Sequence, residues 1–147
     1  MRVYADMVAD LFHHGHVEFL KRARSLGDYL IVGVMGDHDT TGGKRHAILT
    51  VEERVAVVAA CRYVDEAIPN APWRIDSDWI AQHHIDLVVH GDDFPKQELD
   101  YYYRVPIDMG MFRTIPYTHG ISTTEIIFRC KEAELGSKTP LSSVQPV

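Results

Sequence analysis

The stretch "DYLIVGVM", Asp28–Met35, is an almost unbroken apolar run. A run of that length, with turn residues on both sides, reads as a strand buried on both faces. The residues around it repeat the theme. "RVYAD" upstream has strand character, and "HVEFLKRARSLG" between the two has helical spacing and ends on a glycine. Downstream, "GDHDTTGGKRHAIL" is a loop. "TVEERVAVVAAC" is a helix with a capping box at Thr50 and Glu53, and "YVDEAI" is a strand followed by a turn at "PNAP". A helix near "DSDWIAQHH", a strand at "IDLVVHG", a polar loop over 91–110 leading into a short helix, a strand at "FRTIPY" and a helix at "STTEIIFRCKEAEL" complete the pattern. Ser122 and Glu125 form a second capping box. Strands alternating with helices predict an α/β domain, a parallel sheet with helices on both faces.

Composition narrows the class. The 147 residues are 46% hydrophobic and 24% charged, which suits one globular domain. A net charge of -6 argues against a nucleic-acid partner held through its backbone. No run reaches the ~20 apolar residues of a membrane span, and the first residues lack a leader pattern, so no membrane insertion and a cytoplasmic location are expected. Cys61 and Cys130 have no metal-type spacing and read as free, mostly buried thiols. The expected domain is 1–135, with "GSKTPLSSVQPV" as a disordered tail over 136–147.

In a parallel α/β sheet the ligand sits beyond the carboxyl ends of the strands. The first strand leads straight into "DLFHHGH", Asp10–His16. Three histidines in four positions allow three readings. A zinc site would need a further ligand pair, and none with a known pattern follows. Solvated histidines at a capped helix start are the plain alternative. The third is phosphate chemistry. Gly15 permits close backbone approach, the helix start presents free N–H groups, and two imidazoles can donate to phosphate oxygens.

"His13-His14-Gly15-His16" matches the HxGH signature of the nucleotidyltransferases, and further matches follow in order. "RARSLGDYLIVGV", "LTVEER", "RYVDEAIP", "HGDD" and "GISTTEII" resemble successive segments of the cytidylyltransferases that activate glycerol phosphate, phosphoethanolamine and phosphocholine. The resemblance spans about residues 2–130. It implies a Rossmann-like sheet of order 3-2-1-4-5, a homodimer, and transfer of CMP from CTP, with Mg²⁺, to a small phosphate-bearing acceptor. Pyrophosphate leaves. His13 and His16 would be catalytic, with Lys44 of the "GGKRH" loop bridging the reacting phosphates. CTP would be held by Val8, Ala9, Asp10, Gly15 and Arg54, by Asp92 of "HGDD" at the cytosine, and by Gly120, Ile121, Ser122, Thr123 and Thr124. Met7, Arg45, Arg62, Trp73, Arg104 and Tyr117 are candidates for the acceptor side.

Three departures stand out. Met7 replaces a glycine and Ala9 an aromatic residue before the histidines, and Tyr117 stands where the family carries an arginine. They suggest a remodelled acceptor pocket, as in a phosphonate-specific branch acting on a compact acid such as phosphonoformate, with His119 or Arg113 replacing the lost cation. An ATP-dependent adenylyltransferase is the runner-up, since HxGH is shared. A non-catalytic nucleotide-binding module is the alternative of another class.

Overall fold

A computed structural model describes residues 1–37 and 46–133. Lys44, Arg45 and the tail at 136–147 lie outside the described residues. Five strands, β1 (Arg2–Met7), β2 (Tyr29–Met35), β3 (Glu66–Ala71), β4 (Leu87–Gly91) and β5 (Phe112–Ile115), form one parallel sheet of order β3-β2-β1-β4-β5. This is the expected order. β1 and β2 pair over their length, from Arg2↔Tyr29 to Met7↔Val34.

The alternation along the strands divides the core in two. Val3, Ala5, Leu30, Val32, Val34 and Val89 face one side, against Leu20 and Ala23 of α1 (His14–Arg24) and Val51 and Val58 of α2 (Val51–Ala59). Tyr4, Ile31 and Val88 face the other. There they meet Ile80 of α3 (Ser77–Gln82), with Leu99 of α4 (Lys96–Tyr102) and Val105 of α5 (Arg104–Asp108) packed around them. The chain crosses from β2 to β3 on one side of β1, then returns to place β4 on the other. Right-handed crossovers put the helices of the two halves on opposite faces. The reversal falls between β1 and β4, where their carboxyl ends open a crevice.

Two expected segments differ. The third strand begins at Glu66, three residues later than "YVDEAI" suggests, and runs through Asn70. Residues 61–65 are instead a turn. Val64 N–H donates to the Cys61 carbonyl, and Asp65 exchanges hydrogen bonds with Leu30 through its backbone and carboxylate. Pro69 is tolerated because β3 is an edge strand, and a register shift opposite Val34 and Met35 accommodates Asn70 at φ 54°. Residues 91–110 hold two short helices, α4 and α5.

Both expected N-cap residues fall at helix starts, but of the two boxes only that of α2 is reciprocal; the Glu125 carboxylate accepts from Arg129 Nε instead. Thr50 and Glu53 cap α2 reciprocally, and Ser122 accepts from Glu125 N–H at the start of α6 (Thr123–Glu132). α6 buries no residue fully, so Cys130 is exposed and only Cys61 is half-buried, unlike the two buried thiols expected. Among the described residues no helix is long and apolar enough to cross a membrane.

Candidate active site

A cleft of about 910 Å³ lies at the carboxyl ends of β1 and β4. Its wall contains Met7 at the end of β1, Val8, Ala9, Asp10 and His13 from the loop that follows, and Gly15 and His16 from the first turn of α1. Ile121, Ser122, Thr123 and Thr124 join from the start of α6, with Trp73 and Tyr117 from flanking loops. Most of the residues singled out in the sequence therefore meet in one place.

The histidines are held by an uncommon helix start. His13 is the N-cap of α1, and its Nδ1 accepts from Gly15 N–H at 3.1 Å. His16 reciprocates, its Nδ1 accepting from His13 N–H at 3.1 Å. This is a capping box built from two imidazoles. A ring nitrogen that accepts an N–H carries no proton, so each neutral ring keeps its proton on Nε2. Burial, then His13, lowers His16 to about 3, against a smaller upward pull from Asp10. Burial, then His14, lowers His13 as well. At neutral pH the pair is two uncharged Nε2–H donors. Phe12 stacks on His16 with centroids 5.3 Å apart, which fixes the ring further. Gly15 is small for a local reason. A Cβ there would come within 2.8 Å of His13 Cε1 and 3.0 Å of Ile121 Cγ2.

The loop before α1 is strained and tied down. Ala9 and Leu11 have φ of 58° and 49°, the left-handed region that L-residues avoid. The buried Asp10 carboxylate accepts from Ile48 and Leu49 N–H, and its carbonyl accepts from Thr123 Oγ1 at 2.8 Å. Thr123 thus commits its hydroxyl proton to the loop, and Ser122 uses its oxygen as a cap. No hydrogen bond of the Thr124 side chain is seen within the described protein, and Thr124 lines the cleft. Gly120 takes φ 88°, a turn that suits glycine, and lines a smaller recess beside α6.

The structure sets other candidates apart from the cleft. Arg54 is fully buried and spends its guanidinium on protein acceptors, so it does not line the cleft. Asp92 is exposed and accepts from Tyr117 N–H at 2.8 Å; its neighbour Asp93 is the cleft residue. Arg62 is exposed with its guanidinium 5.9 Å from the Tyr63 ring centre, and Arg104 pairs with Asp108 in solvent at 2.9 Å. Neither lines the cleft, nor does Arg113 or His119. Tyr117 closes its own loop by donating to the Ile121 carbonyl.

The cleft also holds residues that sequence reasoning missed. Asp6, 3% exposed, accepts from Tyr103 Oη at 2.6 Å, and its other oxygen has no partner among the described residues. Burial raises its carboxyl to about 6, although His90 and the Tyr103 bond pull it down. His90, Tyr102 and Tyr103 lie beside it, and Trp73 Nε1 is another buried donor without a partner among the described residues. Asp6 had one signal in the sequence, an acid near the end of a strand otherwise buried on both faces. Lys131 is the one lysine or arginine among the described lining residues, against Asp6, Asp10, Asp93 and Glu98. Among the described residues no cluster of three His, Cys, Asp or Glu is placed to hold a metal ion.

A 3-2-1-4-5 sheet with an HxGH turn at its switch point defines a nucleotidyltransferase-type domain. A lipopolysaccharide core biosynthesis protein from Thermoplasma volcanium GSS1 superposes with a TM-score of 0.65 at 25% identity, over 82% of this chain and 98% of that one. Pantothenate synthetase from Thermus thermophilus shares the fold at a TM-score of 0.56 and 13% identity, over 88% and 64%. The cytidylyltransferase-like family model matches residues 5–129. Ethanolamine-phosphate cytidylyltransferase of Arabidopsis thaliana is 49% identical over 135 residues, 86% of this chain and 32% of that protein. Choline-phosphate cytidylyltransferase A of Mus musculus is 44% identical over 133 residues, 88% and 36% respectively. The chain belongs to the cytidylyltransferase-like family. It spans about a third of the length of these curated relatives.

Proposed function

We propose that the chain transfers CMP from CTP to a small phosphomonoester or phosphonate. An oxygen of the acceptor's phosphorus group attacks the α-phosphorus in line. The bond to the β-phosphate breaks and pyrophosphate leaves. The observation that carries this reading is the reciprocal capping of His13 and His16, which leaves two fixed, neutral Nε2–H donors in the cleft. Preorganised donors of that kind stabilise charge that develops on phosphate oxygens without reorganising. Thr124 and the N–H groups at the start of α6 suit the outer phosphates. With four carboxylates against one lysine in the described wall, a triphosphate needs its charge offset. Mg²⁺ fits as an ion carried mainly by phosphate oxygens and water. Lys44 is proposed to reach the reacting phosphates from the segment between β2 and α2. The curated relatives are named for CTP chemistry, which favours CTP over ATP.

The relatives' names also favour phosphoethanolamine or phosphocholine as acceptor. The unpartnered oxygen of Asp6, with Trp73, Tyr102 and Tyr103 around the cleft, supports an acceptor bearing an ammonium group. A second reading, a compact phosphonate, rests on Met7, Ala9 and Tyr117, which depart from the family pattern and all line the cleft. The test is pyrophosphate release with Mg²⁺ across four nucleotides and a panel of acceptors. Phosphoethanolamine, phosphocholine, glycerol phosphate, aminoethylphosphonate, phosphonoacetate and phosphonoformate belong in it. Release with CTP alone supports the reaction. Much faster turnover of any phosphomonoester than of every phosphonate would dismiss the second reading. A homodimer is proposed from the resemblance, and a cytoplasmic location from Cys61 and Cys130 as free thiols.

A further inference from the structure

We infer that Arg54 is a positioning residue for the histidine pair, acting through the loop between β1 and α1 and not through contact with the nucleotide. The inference rests on the reaction proposed above. Arg54 is 0% exposed although it carries a full charge. A buried cation is unfavourable unless paired and hydrogen-bonded, and here every contact is specific. Nε donates to the Leu49 carbonyl at 3.1 Å and one terminal nitrogen to both the Val8 and Met35 carbonyls at 2.7 Å. The other terminal nitrogen donates to Asp37 Oδ1 at 2.6 Å.

These acceptors come from three parts of the chain: the β1 loop, the end of β2 with Asp37 just beyond it, and the approach to α2. The planar guanidinium fork holds all three in one plane, which a lysine ammonium cannot do. Asp10 completes the arrangement. Its carboxylate takes Leu49 N–H while Arg54 takes the Leu49 carbonyl, so Leu49 is gripped from both sides. The loop from Val8 to Asp10 is thereby fastened at each end. Left-handed φ at Ala9 and Leu11 persists only where the surroundings over-determine the backbone. The loop leads on to His13, whose ring and N–H form the histidine cap. Relaxation of the loop would rotate that cap and move both Nε2–H donors.

The experiment compares the full chain with Arg54→Lys and Asp37→Asn, the second variant loosening the fork while keeping it. Nitrogen-15 spectra of the histidine rings in the free protein report the tautomers, and steady-state kinetics report kcat and KM. The inference predicts that the His13 and His16 ring signals lose their fixed Nε2–H pattern without any ligand. kcat then falls on the order of 100-fold in Arg54→Lys while KM for CTP stays near the parent's. Should Arg54→Lys fail to fold, the ring signals of Asp37→Asn carry the same decision. Ring signals unchanged in the folded variants, with any loss confined to CTP affinity, would overturn the inference. The ring signals need no substrate, so a failure of the proposed reaction would leave this test intact.

Discussion

His13 and His16 cap a helix with each other: each Nδ1 accepts a backbone N–H at 3.1 Å, one from Gly15 and one from His13. One nitrogen of each ring therefore builds the helix start, and the other is left for chemistry. Side-chain amides can separate the two duties. In His16→Asn the amide oxygen takes the place of Nδ1 and keeps the cap, but no donor reaches the Nε2 position. In His16→Gln the longer side chain can place its amide nitrogen near that position, or turn its oxygen back to His13 N–H as Glu53 does for Thr50 in α2. We expect His16→Asn to fold with near-parent stability and lose about 100-fold or more in kcat. His16→Gln should lose at most about 1 kcal/mol of stability and keep the larger residual rate. Equal rates for the two would contradict the division of labour.

Gly15→Ala tests the same cap sterically. The new methyl would crowd His13 Cε1, Nδ1 and Ile121 Cγ2 at 2.8–3.0 Å. Alanine favours the helix over glycine by up to about 1 kcal/mol, so stability should change little. kcat should fall on the order of 100-fold because the His13 ring is displaced. Thermal unfolding with steady-state rates checks both halves. A fully active variant would show that the cap tolerates movement.

Asp6 and His16 tilt stability with pH in opposite directions. Asp6 titrates near 6 in the folded chain against an ordinary 3.8, so its contribution is complete below 3.8 and is lost as pH rises through 6. His16 titrates near 3 against 6.5, so its contribution is complete above 6.5 and is lost as pH falls toward 3. Asp6→Asn keeps an acceptor for Tyr103 and removes only the first slope. Urea unfolding should find the variant more stable than the parent at pH 7.5, by at most about 3 kcal/mol, and little different near pH 4. An equal gain at both values would contradict the burial of an ionised Asp6. The same substitution should raise KM for ammonium-bearing acceptors and spare KM for CTP.

The two threonines at the start of α6 should part company. Thr123 donates to the Asp10 carbonyl, so Thr123→Val should cost about 1 kcal/mol in unfolding free energy. Thr124 is exposed on the cleft wall, so Thr124→Val should leave stability within about 0.5 kcal/mol and raise KM for CTP. The reverse pattern would exchange their roles.

These assignments show what the sequence made legible. The apolar run within Asp28–Met35, buried from Leu30 onward, and the alternation around it were enough for the sheet, because strands covered on both faces leave a plain apolar signature. The β1–α1 turn was equally readable, since a ligand crevice at the switch point follows from topology. "PNAP" misled because proline reads as a breaker, while an edge strand does not need that N–H. Arg54 misled for another reason. A charge in an amphipathic helix looks the same in sequence whether it reaches a ligand or three carbonyls of its own chain. Asp6 and His90 were overlooked because each sits singly in an apolar strand, and only the packing of Tyr103 against them reveals a cleft floor.

The central claim is transfer of CMP at the His13–His16 cleft. Its most direct test is phosphorus NMR of the purified chain with CTP, Mg²⁺ and the acceptor panel. The account predicts pyrophosphate and a new CMP-linked phosphoanhydride in equal amounts, with CTP and no other nucleotide, and neither product in His13→Ala or His16→Ala. Product formed with ATP in preference to CTP, or transfer undiminished in both histidine variants, would contradict it.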